Sequence, residues 1–155
     1  MTVLAEFLGA GAVSAALPVS SRKALFQHFG QVAARVYALD SAIVAERLTE
    51  RERLGSTGFG QGIAIPHAKI DGLDHVVAIF AQLGHAIDFQ AVDGLPVDIA
   101  FCLLSPPDSG ADHLKALAQV SRWLRDPGFV AKLRGAGTAD ALFAVLDGHE
   151  ARDAA

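Results

Sequence analysis

Two histidines and one arginine have types and positions suited to chemistry in this 155-residue sequence. His67 directly follows Ile63-Ala64-Ile65-Pro66, so its imidazole is expected at the end of a short buried strand. Proline removes a backbone donor and fixes its own φ, which ends the strand and stiffens the chain leading into His67. Strand ends are where α/β proteins present reactive groups. Residues 55–62, Gly-Ser-Thr-Gly-Phe-Gly-Gln-Gly, would let the backbone approach a ligand closely, and successive amides there can form an anion nest. Arg51 lies sixteen residues before His67, on the expected last turn of a helix, where its charge could neutralise a phosphoryl group. These pieces together suggest an imidazole that handles an anion, most simply phosphate.

Each piece also has an ordinary reading. A Pro-His pair at a strand end is commonly structural. The glycine segment lacks the Gly-Lys-Ser/Thr ending of a P-loop, and it follows a helix where the dinucleotide fingerprint follows a strand. An arginine in the mixed run Glu46-Arg47-Leu48-Thr49-Glu50-Arg51-Glu52-Arg53 is usually part of a solvated helix face with i,i+4 pairing. The other candidates are weaker. His28, His75, His85 and His149 have no partners at useful spacing, so no metal site is expected. Cys102 is the one cysteine, which excludes an internal disulfide and a Cys-based zinc site. Its apolar surroundings suit a buried small hydrophobe. No Gly-x-Ser-x-Gly elbow is present, which argues against an α/β-hydrolase. Trp123, between Arg122 and Arg125, is expected to be partly buried on a helix.

The elements that must position these residues follow from patterning. Ser20 or Ser21 caps a helix running to about Tyr37, with Leu25, Phe29, Val32 and Val36 on one stripe. Asp40 caps a second helix, carrying Ile43, Val44, Leu48 and Arg51 and stopped by Gly55. Residues 63–65, 76–83 and 97–104 read as core strands. Asp112 is expected to cap a helix to about Arg125, with Leu114, Leu117 and Leu124 facing in. Asp126-Pro127 opens a short helix to about Arg134, and Thr138 caps a last helix facing in through Leu142, Val145 and Leu146. Residues 1–21 form a weakly patterned, irregular or partly stranded lead-in, and residues 148–155 a frayed tail. The expected fold is a single α/β domain over residues 1–155, a sandwich with a small mixed sheet between helical layers.

Composition bounds the class. Hydrophobic residues make up 52% and charged residues 19%. Much of the apolar content is alanine, which suits helices, cores and surfaces alike. The uncharged stretch 7–21 is broken by Pro18 and is too short for a membrane span, which needs roughly 20 apolar residues. No Lys or Arg precedes it, which disfavours a secretory leader. A net charge of −4 gives no basic footprint for nucleic acid. A cytoplasmic location is expected.

The joint pattern outweighs the ordinary readings. Residues 51–67, Arg-Glu-Arg-Leu-Gly-Ser-Thr-Gly-Phe-Gly-Gln-Gly-Ile-Ala-Ile-Pro-His, closely resemble the phosphorylation-site segment of the enzyme IIA family, the fructose/mannitol-type components of the bacterial phosphoenolpyruvate-dependent phosphotransferase system. Ile87-Asp88-Phe89 and Asp93-Gly94-Leu95-Pro96-Val97 are similar to the family's strand-turn-strand segment, and Leu103-Leu104-Ser105-Pro106 to its next strand end. Asp112-His113-Leu114-Lys115-Ala116-Leu117 resembles the helix start that bears the family's second active-site histidine. The resemblance extends over about residues 22–146.

That resemblance implies a five-stranded mixed sheet in an α/β sandwich. It makes His67 the phosphoryl acceptor, usually through Nε2, and His113 a histidine that supports the phosphoryl group without accepting it. Arg51 becomes a source of positive charge, assisted by backbone amides of the loop and of the first turn of the His113 helix. Ser56 and Thr57 fall near the pocket with no assigned role. No cofactor and no metal are implied. The implied donor is a histidine phosphocarrier protein (HPr-like). The implied recipients are regulatory protein targets, or, in the alternative sugar-specific reading, a IIB component for sugar uptake. The wording of residues 55–69 leans toward the nitrogen-regulatory branch, while Ala68 is shared with fructose-type members.

Overall fold

Ser21 opens the first helix by accepting a hydrogen bond from the Ala24 amide at 3.0 Å, and α1 runs Arg22–Tyr37. Asp40 caps α2 (Ser41–Arg53) through the Ile43 amide at 3.0 Å. The two helices cross closely at Gly30, where a Cβ would lie 2.3 Å from the Ser41 carbonyl oxygen. Leu25, Phe29, Val32, Val44 and Leu48 bury the facing stripes, as their spacing predicts. The structure is a computed structural model that describes residues 8–154, so residues 1–7 of the expected lead-in and Ala155 of the expected tail lie outside the described residues.

Six strands form one mixed sheet: β1 (Leu8–Leu17), β2 (Gly58–Gly60), β3 (Ile63–Ala64), β4 (His67–Lys69), β5 (Val77–Ile87) and β6 (Val97–Ser105). Their order is β1-β5-β6-β3-β2, with β4 also paired to β6. β5 and β6 run antiparallel, whereas β1 pairs parallel to β5, and β3 and β4 pair parallel to β6. β6 is buried at eight of its nine positions, which is why it reads as an unbroken apolar run rather than an alternating one. The expected α/β fold with a mixed sheet is therefore present, flanked by five helices: α1, α2, α3 (Gly110–Leu124), α4 (Pro127–Gly135) and α5 (Ala139–Ala154).

Two local expectations are refined and a third is corrected. Residues 8–17 of the lead-in are a full strand, β1. Its composition, Leu-Gly-Ala-Gly-Ala-Val-Ser-Ala-Ala-Leu, hides the period-2 signal because glycine and alanine read the same on either face. Tyr37 ties this strand down: its hydroxyl accepts from the Gly9 amide at 2.9 Å and donates to the Ala78 carbonyl at 2.7 Å. Residues 148–154 of the expected tail are helical and continue α5 to Ala154. Finally, Ser109 rather than Asp112 is the N-cap residue of α3, and Asp112 lies in the first turn. The inward stripe is shifted to His113, Ala116, Val120, Trp123 and Leu124, so Trp123 is fully buried and Leu114 is 66% exposed. Apolarity alone points to Leu114 as the inward residue, but the histidine one position earlier takes that place.

Candidate functional site

The strand bearing His67 is interrupted by Pro66 rather than ended by it. Ala64 pairs with Ala100 and His67 with Leu103, so the same β6 register is kept across the break. The Pro66 carbonyl still accepts from the Leu103 amide at 2.9 Å, while proline contributes no donor of its own. The break turns the His67 ring back over its own chain, where Nδ1 lies 2.8 Å from the Ile65 carbonyl oxygen. A carbonyl only accepts, so Nδ1 carries the ring proton and Nε2 of the neutral ring bears the lone pair. Nε2 in turn accepts from Arg51 Nε at 3.2 Å.

Arg51 reaches this position from the last turn of α2. A second branch of its guanidinium, Nη1, donates to the Gly55 carbonyl at 2.8 Å and orients the group. His113 arrives from the first turn of α3, with its ring centroid 5.4 Å from that of His67 and the planes inclined at 57°. Its Nδ1 lies 2.6 Å from Ser105 Oγ, at the end of β6. The three expected residues therefore meet in one open cavity of about 410 Å³, lined also by Arg47, Glu50, Leu54, Ala68 and Lys69.

Both imidazoles are held neutral. Burial, and to a smaller extent the Arg51 charge, lowers the His67 pKa, while the Ile65 carbonyl pulls the other way. Burial chiefly, with His67 and Lys69 adding to it, takes His113 down to about 4. A neutral imidazole with a proton fixed on one nitrogen is a nucleophile at the other, and the positive rim suits a dianionic group.

The family model described as "Phosphoenolpyruvate-dependent sugar phosphotransferase system, EIIA 2" matches residues 6–149. The chain belongs to this family. It is similar to the nitrogen regulatory protein of Bradyrhizobium diazoefficiens, with 42% identity over 143 residues, 92% of this chain and 94% of that protein. It is 36% identical to the nitrogen regulatory protein of Pseudomonas aeruginosa over 147 residues, 94% of this chain and 96% of that protein. Among solved structures it resembles the nitrogen regulatory protein IIA-Ntr from Neisseria meningitidis, with a TM-score of 0.87 and 32% identity, over 94% of this chain and 99% of that one. Among the described residues, no helix of this IIA chain is long and apolar enough to cross a membrane.

The glycine segment does not do what its composition suggested. Four of its amides are already engaged: Gly55 N donates to the Glu52 carbonyl, Thr57 N to the Glu52 carboxylate, Gly58 N to Ser56 Oγ and Gln61 N to Asp93 Oδ2. It folds as the β2–β3 hairpin, with Gln61 and Gly62 at positive φ, and Gly58 lets the chain pass Ala91, whose Cβ would lie 2.9 Å from an added one. None of its residues lines the histidine cavity. The first turn of α3 contributes His113 to that cavity, but Ser109 and Asp112 line a neighbouring one of about 730 Å³.

Two side chains escaped the sequence reading. Lys69 follows His67 by two residues on β4, and strand alternation could have put it on the same face. Glu52 falls in a charge run that reads as a solvated helix face, yet it is 6% exposed. It extends the stripe Val44, Leu48, Glu52 at i+4 spacing, and that stripe was the available signal. Its carboxylate accepts from the Thr57 amide at 3.1 Å and from the Thr57 hydroxyl, and lies 3.6 Å from Arg22. Arg22 also donates to the Phe89 carbonyl at 3.0 Å. This buried node holds the end of α2, and with it the segment bearing Arg51, against the chain that leads to the hairpin.

Proposed function

We propose that this chain is a phosphocarrier of the nitrogen-regulatory type, which takes a phosphoryl group onto His67 Nε2 from a phosphohistidine on an HPr-like carrier protein. The observation that carries the reading is the Nδ1–H bond from His67 to the Ile65 carbonyl, which leaves Nε2 as the nucleophilic atom in a positively rimmed cavity. In the transfer, the P–N bond to the donor imidazole breaks as the bond to Nε2 forms. The electron pair returns to the donor ring, which leaves as a neutral imidazole when its other nitrogen carries a proton, while His67 keeps its Nδ1–H and takes on the ring's positive charge; on those terms no proton has to move. Phosphoryl transfer of this kind depends on positioning and charge rather than on bond-making help. Arg51 would exchange its bond to Nε2 for the incoming oxygens, and His113 and Lys69 would face the same charge. Both donor and product are phosphoramidates, so the step is close to balanced and reversible. The state of His67 then governs which regulatory protein is bound.

The test is incubation of the full chain with the phosphorylated carrier, followed by 31P NMR and peptide mapping. One phosphoryl group per chain on His67 is expected, and none in His67→Ala. Stoichiometric uptake by that variant overturns the acceptor assignment. Binding partners that are the same in both phosphorylation states, with efficient onward labelling of a sugar IIB component, would overturn the regulatory part in favour of sugar uptake.

A further inference from the structure

Ser105 ends β6 and has no exposed surface. Its backbone carbonyl accepts from the Ile70 amide at 2.8 Å, and its hydroxyl meets Nδ1 of His113 at 2.6 Å. Among the described residues the hydroxyl has no other hydrogen-bond partner, and that decides the direction of the bond. If Nδ1 held the proton and donated to Oγ, the hydroxyl hydrogen would be buried without an acceptor, an arrangement that native interiors avoid. If Oγ–H donates into the Nδ1 lone pair, no buried donor is left over. A neutral imidazole carries a single proton, which must then sit on Nε2.

We propose that Ser105 is a positioning residue that locks His113 in the Nε2–H tautomer, so that a ring N–H rather than a lone pair meets the phosphoryl group on His67. The proposal rests on the reading of His67 as the acceptor. It gives the two neighbouring histidines opposite tautomers and therefore different roles. His67, protonated on Nδ1 by the pull of the Ile65 carbonyl, presents a nucleophilic Nε2. His113, accepting at Nδ1 from Ser105, presents a donor and no free lone pair. Because His113 stays neutral near pH 7, the tautomer rather than a positive charge sets what it offers. Loss of the Ser105 hydroxyl frees Nδ1 to take the proton, and the exposed Nε2 lone pair then repels phosphoryl oxygens or competes for the phosphorus.

Two-bond 1H–15N correlation spectra of the full 15N-labelled chain near neutral pH test this directly. In the wild-type chain His113 should show a protonated Nε2 and an unprotonated Nδ1; the reverse pattern overturns the proposal without any variant. In Ser105→Ala a mixture of tautomers is expected, with phosphoryl uptake at His67 slowed about 3- to 10-fold, the worth of one hydrogen bond. A wild-type-like spectrum or an unchanged uptake rate in that variant overturns it. If the tautomers are as stated but the wild-type chain takes no phosphate on His67, the acceptor reading fails and the tautomer assignment survives.

Discussion

Arg51 Nε donates to His67 Nε2 across 3.2 Å, so the lone pair proposed as the nucleophile is occupied by the group proposed to stabilise the transferred charge. The same contact places a fixed positive charge beside a titratable ring, one of the causes of its lowered pKa. One bond therefore occupies the lone pair, disfavours protonation and stations a cation where, on the proposed function, phosphoryl oxygens would arrive.

Removing that guanidinium has two separable consequences. Arg51→Ala should slow phosphoryl uptake from the carrier by about 10²- to 10³-fold, the usual loss for a donor aimed at developing charge. It should also raise the His67 pKa, because a nearby cation disfavours the protonated ring. NMR titration of the His67 ring checks the second effect independently of the rate. A pKa that stays put or falls would show that the Arg51 charge does not act on His67.

His113 should support the phosphoryl group in both directions of transfer without accepting it. His113→Ala is expected to take up label on His67 and pass it on roughly 10²-fold more slowly, since its ring lies 5.4 Å from the acceptor and supplies stabilisation without the new bond. His113→Gln, whose amide can still donate, should recover part of that loss. Single-turnover transfer to and from the carrier separates the two steps, and equal rates for Gln and Ala would argue against a hydrogen-bonding role.

The buried imidazoles also tie stability to pH. A folded pKa below the unfolded value means that the unfolded chain binds more protons, so the stabilisation is fully present above about pH 6.5 and is lost as pH falls through the folded pKa. For His113 the window runs from about 6.5 down to about 4. His67 and His28, both lowered chiefly by burial, act in the same direction. The urea midpoint should fall over that window, and His113→Gln should flatten the fall. A variant curve parallel to the wild type would remove His113 from the account.

Much of this was readable from residues. The caps Ser21, Asp40, Asp126 and Thr138 announce their helices because short polar side chains satisfy first-turn amides, and each does so. His67, Arg51 and His113 stand together as the resemblance implied. What misled was composition without context. Glycines at 58 and 62 looked like room for a ligand, but the room is filled by Ala91 in one case and by Arg134 and Asp98 in the other. The strand at 8–17 was hidden by small residues, and the inward face of α3 by a histidine that is itself the buried residue. Long-range partners decided each of these, and local pattern does not contain them.

Glu52 supplies the last test, because it continues the buried stripe of α2 although it is charged and adjoins Arg51. Its carboxylate joins the Thr57 amide and hydroxyl to Arg22, so the end of α2 is pinned to the chain entering the hairpin. Glu52→Gln keeps the shape and removes the charge, which should lower stability by about 1–3 kcal/mol, the range for a buried hydrogen-bonding group left partly unsatisfied. Thr57→Val removes the hydroxyl from the other side. If the two side chains form one node, the double variant should be less destabilised than the sum of the singles by at least about 0.5 kcal/mol in urea unfolding. Because the node holds the segment that carries Arg51, Glu52→Gln should also slow phosphoryl uptake at His67 at temperatures where the chain is fully folded. Simple additivity, with uptake unchanged, would make Glu52 a stability residue with no bearing on the site.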